Sequence, residues 1–339
     1  MERVISYDLG GESEKVWENE LRPQTFDEFP GQDEIKSKLK IFVKAAKARQ
    51  EPLDHTLLCG PPGLGKTTLA QILAKEMGVD CKITAAPALE KKGDIAALLT
   101  GLQPFSVLFI DEIHRLSRHL EEYLYTAMED YFIDIITGDG IGSRSMRFQL
   151  APFTLLGATT RAGLLNAPFR DRFGIVERLQ FYKKDSLCHI LGRSAKILKV
   201  SLNQDGAMEI AQRARGTPRV ANRLLKRVRD YAQVLNHGLI DRETAVMALS
   251  QLGVDQFGLD DMDRRLLFLM SSKYSGGPVG IDTLSAALSE DRGTLEEVYE
   301  PYLIQEGFLQ KTPKGRMLTE FAKEQLQKYQ TSGEGYEIA

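Results

Sequence analysis

The stretch His55-Thr56-Leu57-Leu58-Cys59-Gly60-Pro61-Pro62-Gly63-Leu64-Gly65-Lys66-Thr67-Thr68-Leu69-Ala70-Gln71 constrains this chain more than any other. Thr56 to Cys59 is a short apolar run that suits a buried strand. Gly60, Gly63 and Gly65 then allow a tight turn whose backbone N–H groups point inward, a shape that cradles phosphate oxygens. From Lys66 onward Leu69, Ile72 and Leu73 recur at helical spacing. The loop therefore ends at a helix N-terminus, where free N–H groups and the dipole favour an anion. Gly-x-x-x-x-Gly-Lys-Thr is matched at every fixed position, in strand–loop–helix context. In that pattern Lys66 reaches the β/γ-phosphates and the Thr67 hydroxyl is a ligand to Mg²⁺.

The chain has 339 residues, enough for two or three domains with separate cores. Its net charge of −3 carries no global sign of nucleic-acid binding, so any such surface must be local. Cys59, Cys81 and Cys188 lie far apart, without Cys-x-x-Cys or Cys/His pairing, as expected of a reduced protein with no structural zinc. No apolar run approaches the roughly 18 residues that span a bilayer, and the N-terminus lacks the features of a signal peptide. The expected location is the cytoplasm.

Residues 1–20 are polar and read as a loosely ordered arm. A turn-rich segment, Leu21 to Gln32, precedes an amphipathic helix over Asp33–Ala48. Strands and helices then alternate: helix 67–77, a strand near Cys81–Thr84, a helix near Gly93–Leu102, a strand at Val107–Ile110. Such alternation predicts a parallel sheet sandwiched by helices. Val107 to Ile110 is uniformly apolar, as a strand covered on both faces should be, and ends in Asp111-Glu112-Ile113-His114. Ligands in such sheets bind at the carboxyl ends of strands, which puts both carboxylates beside the phosphate loop. There Asp111 would hold the Mg²⁺ shell and Glu112 would polarise an attacking water.

A helix over Leu120–Asp130 leads to two alternating runs, Phe132–Ile136 and Met146–Leu150, around a Gly/Asp/Ser turn that exposes Ile141. This is a β-hairpin, either plain or serving as a protruding contact for a partner. Thr154 to Arg161 is another buried strand, with Thr160 at its carboxyl end in reach of a γ-phosphate or a water. Arg170 and Arg172 follow in Asn166-Ala167-Pro168-Phe169-Arg170-Asp171-Arg172-Phe173-Gly174. An arginine so placed can reach a neighbouring subunit's γ-phosphate.

The alternation stops at Phe181-Tyr182-Lys183, and from Asp185 to about Leu252 the pattern predicts an all-helical domain. Arg213, Arg215, Arg219, Arg223, Lys226, Arg227 and Arg229 occur there without an acid among them. Pro218 marks a helix start with Arg219 in the first turn, where a cation opposes the dipole and points to an outside anion. After Gly253 the order is a helix capped by Asp260 or Asp261, a helix at Asp282–Leu288, and a helix opened in capping-box form by Thr294. A hairpin tipped by Pro313-Lys314-Gly315 completes a winged helix. Arg292, Lys311, Lys314 and Arg316 suit phosphates, whereas Glu296, Glu297 and Glu300 on the second helix oppose base reading. Residues from Lys328 on read as a disordered tail.

The set resembles the AAA+ ATPases and, within them, the motors of Holliday-junction branch migration. The likeness runs through Leu21-Arg22-Pro23, Gly60 to Thr68, Asp111 to His114, Gly157 to Arg161, Arg170 to Gly174, Gly216-Thr217-Pro218-Arg219 and Thr312 to Arg316. It implies an α/β fold: an AAA+ P-loop parallel sheet sandwiched by helices (21–183), then an all-helical lid (184–254), a C-terminal winged helix (255–327) and a tail (328–339). It also implies ATP and Mg²⁺ as cofactors. Leu21, Arg22 and Tyr182 would contact the adenine end, with Gly63, Gly65, Lys66, Thr67, Thr68, Glu129, Asp130 and Tyr131 also in the nucleotide site. Thr160 would be the first sensor, Arg172 the finger acting in trans, and Arg219 the second sensor. Arg292, Lys311 and Arg316 would contact DNA, and the hairpin around Ile141 would dock a RuvA-type junction-binding protein. The implied activity is DNA-dependent ATP hydrolysis by a hexameric ring on duplex DNA, in recombination and repair, with a RuvC-type resolvase as a further partner. A clamp-loader-like ATPase and an ATP-gated scaffold without turnover are the rival readings.

Overall fold

The computed structural model describes residues 20–137 and 144–331. The N-terminal arm, the hairpin tip with Ile141 and residues from 332 on lie outside the described residues. The described residues fall into two units, Arg22–Gln180 and the chain from Phe181 onward, with Leu21 grouped with the second.

In the first unit helix α1 (Asp33–Arg49) turns Ile35, Leu39, Val43 and Ala46 inward, one stripe at helical spacing. Then follow β1 (Thr56–Cys59), α2 (Lys66–Met77), β2 (Cys81–Ala85), α3 (Lys92–Thr100), β3 (Val107–Asp111) and α4 (Arg118–Asp130). The hairpin β4 (Phe132–Thr137) and β5 (Arg144–Gln149) precedes β6 (Thr154–Thr159), the short α5 (Ala167–Arg170) and β7 (Ile175–Arg178). Five strands form one parallel sheet in the order β2-β3-β6-β1-β7.

The three central strands are buried along almost their whole length because helices cover both faces. The edge strands β2 and β7 are half exposed, and Lys82, Glu177 and Arg178 on them deter further pairing. Strand β7 goes beyond what the sequence predicts: four residues ending in Glu-Arg carry no apolar run. Register sets Cys59 beside Thr159, and β3 on the other side of β6 ends in Asp111. The loop after β1, the acidic end of β3 and the hydroxyls after β6 thus share one sheet edge.

Gly157 makes that edge compact. A Cβ there would lie 3.0 Å from Ile113 Cδ1 and 3.1 Å from Leu57 Cδ1. Its absence lets Ile113, fully buried in the single turn Ile113–Arg115, pack directly on β6 and hold Glu112 against the sheet.

The second unit opens with α6 (Lys184–Ile197), β8 (Ser201–Leu202), α7 (Gln204–Arg213), α8 (Pro218–Leu235), β9 (Leu239–Ile240) and α9 (Arg242–Gln251). The expected all-helical region therefore carries one parallel pair of two-residue strands, too short to leave a periodicity in sequence. Beyond it α10 (Asp261–Tyr274) is capped reciprocally, Asp260 and Asp263 each accepting the other's N–H at 2.9 Å. Helix α11 (Ile281–Leu288) is followed by α12 (Arg292–Thr294), which runs through a π-helical stretch, Leu295–Tyr299, into α13 (Glu300–Gln305). Its cap is Asp291, accepting from Thr294 N at 3.0 Å. The helix therefore begins at Arg292, before the Thr294 capping box expected from sequence. Strands β10 (Leu309–Thr312) and β11 (Gly315–Leu318) form the wing. Helix α14 (Glu320–Thr331) overlaps the first residues of the tail expected from Lys328 and makes 328–331 helical; Ala322 and Leu326 bury one face in the winged-helix core.

Candidate active site

The loop turns as its glycines predict, with φ of 79° at Gly63 and 95° at Gly65. Gly65 is the N-cap of α2, without a side-chain cap, and no acid lies in the first turn. The helix therefore presents uncapped N–H groups, an anion site by construction. Lys66, 7 % exposed, donates to the carbonyls of Gly60 at 2.8 Å and Pro61 at 3.0 Å. The Thr67 hydroxyl donates to Asp111 Oδ2 at 3.3 Å, and Thr68 is buried behind the loop. Arg22 reaches the same helix, Nη1 lying 3.5 Å from Gln71 Oε1.

Asp111 accepts from the Glu112 N–H at 2.9 Å, and Glu112 takes a left-handed conformation at φ 48°. This turn sends the Glu112 carboxylate to the end of β6, where Oε2 accepts from the Thr160 hydroxyl at 3.2 Å. His114 Nδ1 lies 3.2 Å from the same oxygen. Burial pushes the Glu112 carboxyl above its ordinary range; Lys66 pulls it down and Asp111 adds to the rise. Among the described residues no group of three or more His, Cys, Asp or Glu is set to hold a metal. One carboxylate and one hydroxyl fit Mg²⁺, which keeps waters and takes phosphate oxygens.

Arg172 is placed by α5 at the far end of α4. Its Nη2 donates to the Tyr125 hydroxyl at 2.6 Å and lies 2.7 Å from Glu129 Oε1, while the guanidinium stacks 4.6 Å over the Tyr125 ring. Arg170 is only 3.9 Å from Asp171. Glu129 and Asp130 end α4 exposed, and the half-buried Tyr131 packs edge-on to Phe153.

In the second unit Arg193 donates to the Leu21 carbonyl at 2.6 Å, and Tyr182, 8 % exposed, donates its N–H to Gly216 O at 2.8 Å. Arg219 sits half-buried in the first turn of α8, whose N-cap Thr217 accepts from Val220 N at 3.4 Å. In the winged helix Arg292 lies 3.2 Å from Asp282 and 3.6 Å from Glu296, and on the wing Lys311 lies 3.9 Å from Glu300; both are exposed. Arg316 is not: its Nη2 lies 3.1 Å from both Glu296 Oε1 and Glu300 Oε2, and its Nε also pairs with Glu300. Glu296 and Glu300 therefore do not line a solvent face as the sequence suggests; they are occupied by Arg316. Sequence reasoning gives no role to His114, although its place two residues after Glu112 signals it, and reads Arg215 only as one of a basic run.

Residues 21–179 match the family model of the Holliday junction DNA helicase RuvB P-loop domain. Residues 182–255 match the RuvB AAA lid domain, and residues 256–327 the RuvB C-terminal winged helix domain. The chain belongs to the RuvB family. A curated RuvB of Bdellovibrio bacteriovorus, a Holliday junction branch migration complex subunit, is 71 % identical over 323 residues, 95 % of this chain and 98 % of that protein. The solved Thermotoga maritima RuvB Holliday junction branch migration motor is 47 % identical with a TM-score of 0.83, covering 94 % of this chain and 99 % of that one. A solved point mutant of the same Thermotoga RuvB, also 47 % identical, gives a TM-score of 0.85 over 94 % of this chain and 99 % of its own. As a RuvB, the chain is an AAA+ P-loop ATPase and an ATP-driven motor of branch migration.

Proposed function

We propose that this motor acts as a ring of six copies around duplex DNA, with ATP hydrolysed where one copy's phosphate loop meets the next copy's Arg172. The supporting observation is the convergence of Thr67, Asp111, Glu112 and Thr160 on one sheet edge beside an uncapped helix N-terminus. Lys66 leaves the loop carbonyls for the phosphates, and Thr67 and Asp111 hold Mg²⁺, which would neutralise phosphate charge. Glu112 orients and deprotonates the attacking water; its burial keeps the carboxylate a stronger base than one in bulk water. Thr160 reports on the γ-phosphate and Arg219 senses it from the lid. Arg172 exchanges Glu129 and Tyr125 for a neighbour's γ-phosphate. Leu21, Arg22 and Tyr182 face the adenine end, and Gly63, Gly65, Thr68, Glu129, Asp130 and Tyr131 complete the nucleotide site.

Arg292 and Lys311 take DNA phosphates from exposed positions, and Arg316 joins them only by releasing Glu296 and Glu300. A RuvA-type protein that holds the four-way junction docks at the hairpin around Ile141, and a RuvC-type resolvase acts on the product. Three free thiols, Cys59, Cys81 and Cys188, suit the cytoplasm; no helix among the described residues is long and apolar enough to cross a membrane. The test is branch migration of a synthetic four-way junction with ATP, with and without the junction-binding partner. Loading of a sliding clamp with the junction left intact would favour the clamp-loader reading, and phosphate release unresponsive to DNA would favour a scaffold.

A further inference from the structure

We propose that His114 is a positioning residue that aims the Glu112 carboxylate. The inference rests on the reading of Glu112 as the group that activates water. The His114 side chain is 6 % exposed, and its Nδ1 lies between two oxygens, 3.0 Å from Thr159 Oγ1 and 3.2 Å from Glu112 Oε2. The Thr159 hydroxyl oxygen in turn accepts from the Arg161 N–H at 2.9 Å.

The place of the ring proton is assigned from the carboxylate contact. A bare Nδ1 lone pair facing an ionised carboxylate at this distance is repulsive, so Nδ1 carries the hydrogen and donates it toward Glu112. The Thr159 oxygen is the second acceptor and ties the ring to the end of β6. Glu112 needs such a ligand because its left-handed backbone belongs to neither helix nor strand. The Thr160 hydroxyl, from the same strand end, grips the same carboxylate oxygen.

Two consecutive threonines thus hold the acidic turn, Thr160 by direct contact and Thr159 through His114. When Thr160 turns to a γ-phosphate, its bond to Glu112 is lost. The imidazole then holds the carboxylate in line with the water.

The test uses the full-length chain with junction DNA. His114→Phe keeps a ring of similar shape and removes the donor, while His114→Asn restores a donor near the Nδ1 position. Turnover of His114→Phe should fall on the order of 10²-fold, the usual loss for a catalytic group misplaced by about 1 Å. Affinity for a fluorescent ATP analogue should stay within about twofold, and His114→Asn should recover most of the loss. A residue that merely fills space gives the opposite order, Phe outperforming Asn with stability tracking activity, and that result overturns the proposal.

A second measurement needs no nucleotide. In ¹⁵N-histidine-labelled protein the His114 ring should be the Nδ1–H tautomer, and Glu112→Gln should shift its Nδ1 resonance. An Nε2–H ring at neutral pH overturns the proposal even if no His114 variant folds. Normal turnover in Glu112→Gln overturns the role of Glu112 itself, while the tautomer stays as expected.

Discussion

Arg215 and Asp263 form a buried ion pair that joins the lid to the winged helix: the side chains are 1 % and 0 % exposed, and Arg215 also donates to Gly258 O at 2.9 Å and stacks 5.2 Å from the Tyr302 ring. Arg215 stands directly before Gly216-Thr217-Pro218-Arg219, so the helix start that carries the proposed second sensor is bolted to the domain proposed to hold DNA. Removing one partner strands a buried charge. Arg215→Met should therefore cost about 3–5 kcal/mol in a denaturant titration, whereas Arg215→Met with Asp263→Leu should regain most of it. A double variant that costs as much as the two single variants added together would show that the pair holds nothing.

Arg172→Ala should bind ATP as before and lose DNA-stimulated hydrolysis by roughly 10³-fold or more, as removal of a finger does. Mixed with Lys66→Ala protein, it should regain part of the rate, since some interfaces then pair an intact loop with an intact arginine. Phosphate release measured across mixing ratios checks this. Unchanged turnover in Arg172→Ala alone would sink its role in trans.

Lys311 and Arg316 face each other across the wing yet should behave differently. Lys311→Ala should weaken duplex binding without regard to sequence and reduce the salt slope by about 1, with folding unaffected. Arg316→Ala should destabilise the winged helix by leaving Glu300, 5 % exposed, and Glu296 without their guanidinium. Anisotropy against salt, paired with thermal melts, separates the two.

Asp94 gives a pH signature. Backbone N–H groups of Lys91 and Glu90, both 3.0 Å from Oδ2, hold its carboxyl below the ordinary range. A carboxylate lowered in the folded state stabilises above its unfolded pKa of about 3.9 and loses that contribution as pH falls through the lower folded value. Melting curves of Asp94→Asn should thus be less acid-dependent than the parent's below about pH 4 and lower in midpoint near pH 7.

The nucleotide half of the molecule is largely readable in the chain. Lys66, Thr67, Asp111, Glu112 and Thr160 sit at strand ends that apolar runs announce, and the parallel sheet brings those ends together without further information. The wing is misleading for a reason of scale. Arg316 lies 20 residues from Glu296 and 16 from Glu300, and its pairing with them is a tertiary fact that neither helical nor strand period encodes. Arg215 is hidden in the same way: in a run of seven basic residues nothing marks the one that the fold buries. Strand β7 escapes notice because an edge strand tolerates Glu177 and Arg178.

Gly157 bears on the rate of hydrolysis as well as on packing. One added methyl at this position would meet Ile113 and Leu57 at distances where a neighbour must yield by a few tenths of an ångström, and Ile113, which meets it at two atoms, is the residue next to Glu112 in the chain. The rate of hydrolysis can therefore be throttled from inside the sheet, by a carbon atom that touches no nucleotide and bears no charge. A Gly157→Ala chain assayed for turnover at several temperatures should be slower and more heat-sensitive while binding ATP normally. If so, differences in speed among related motors are to be sought in the apolar residues behind the sheet edge as well as in the polar ones upon it.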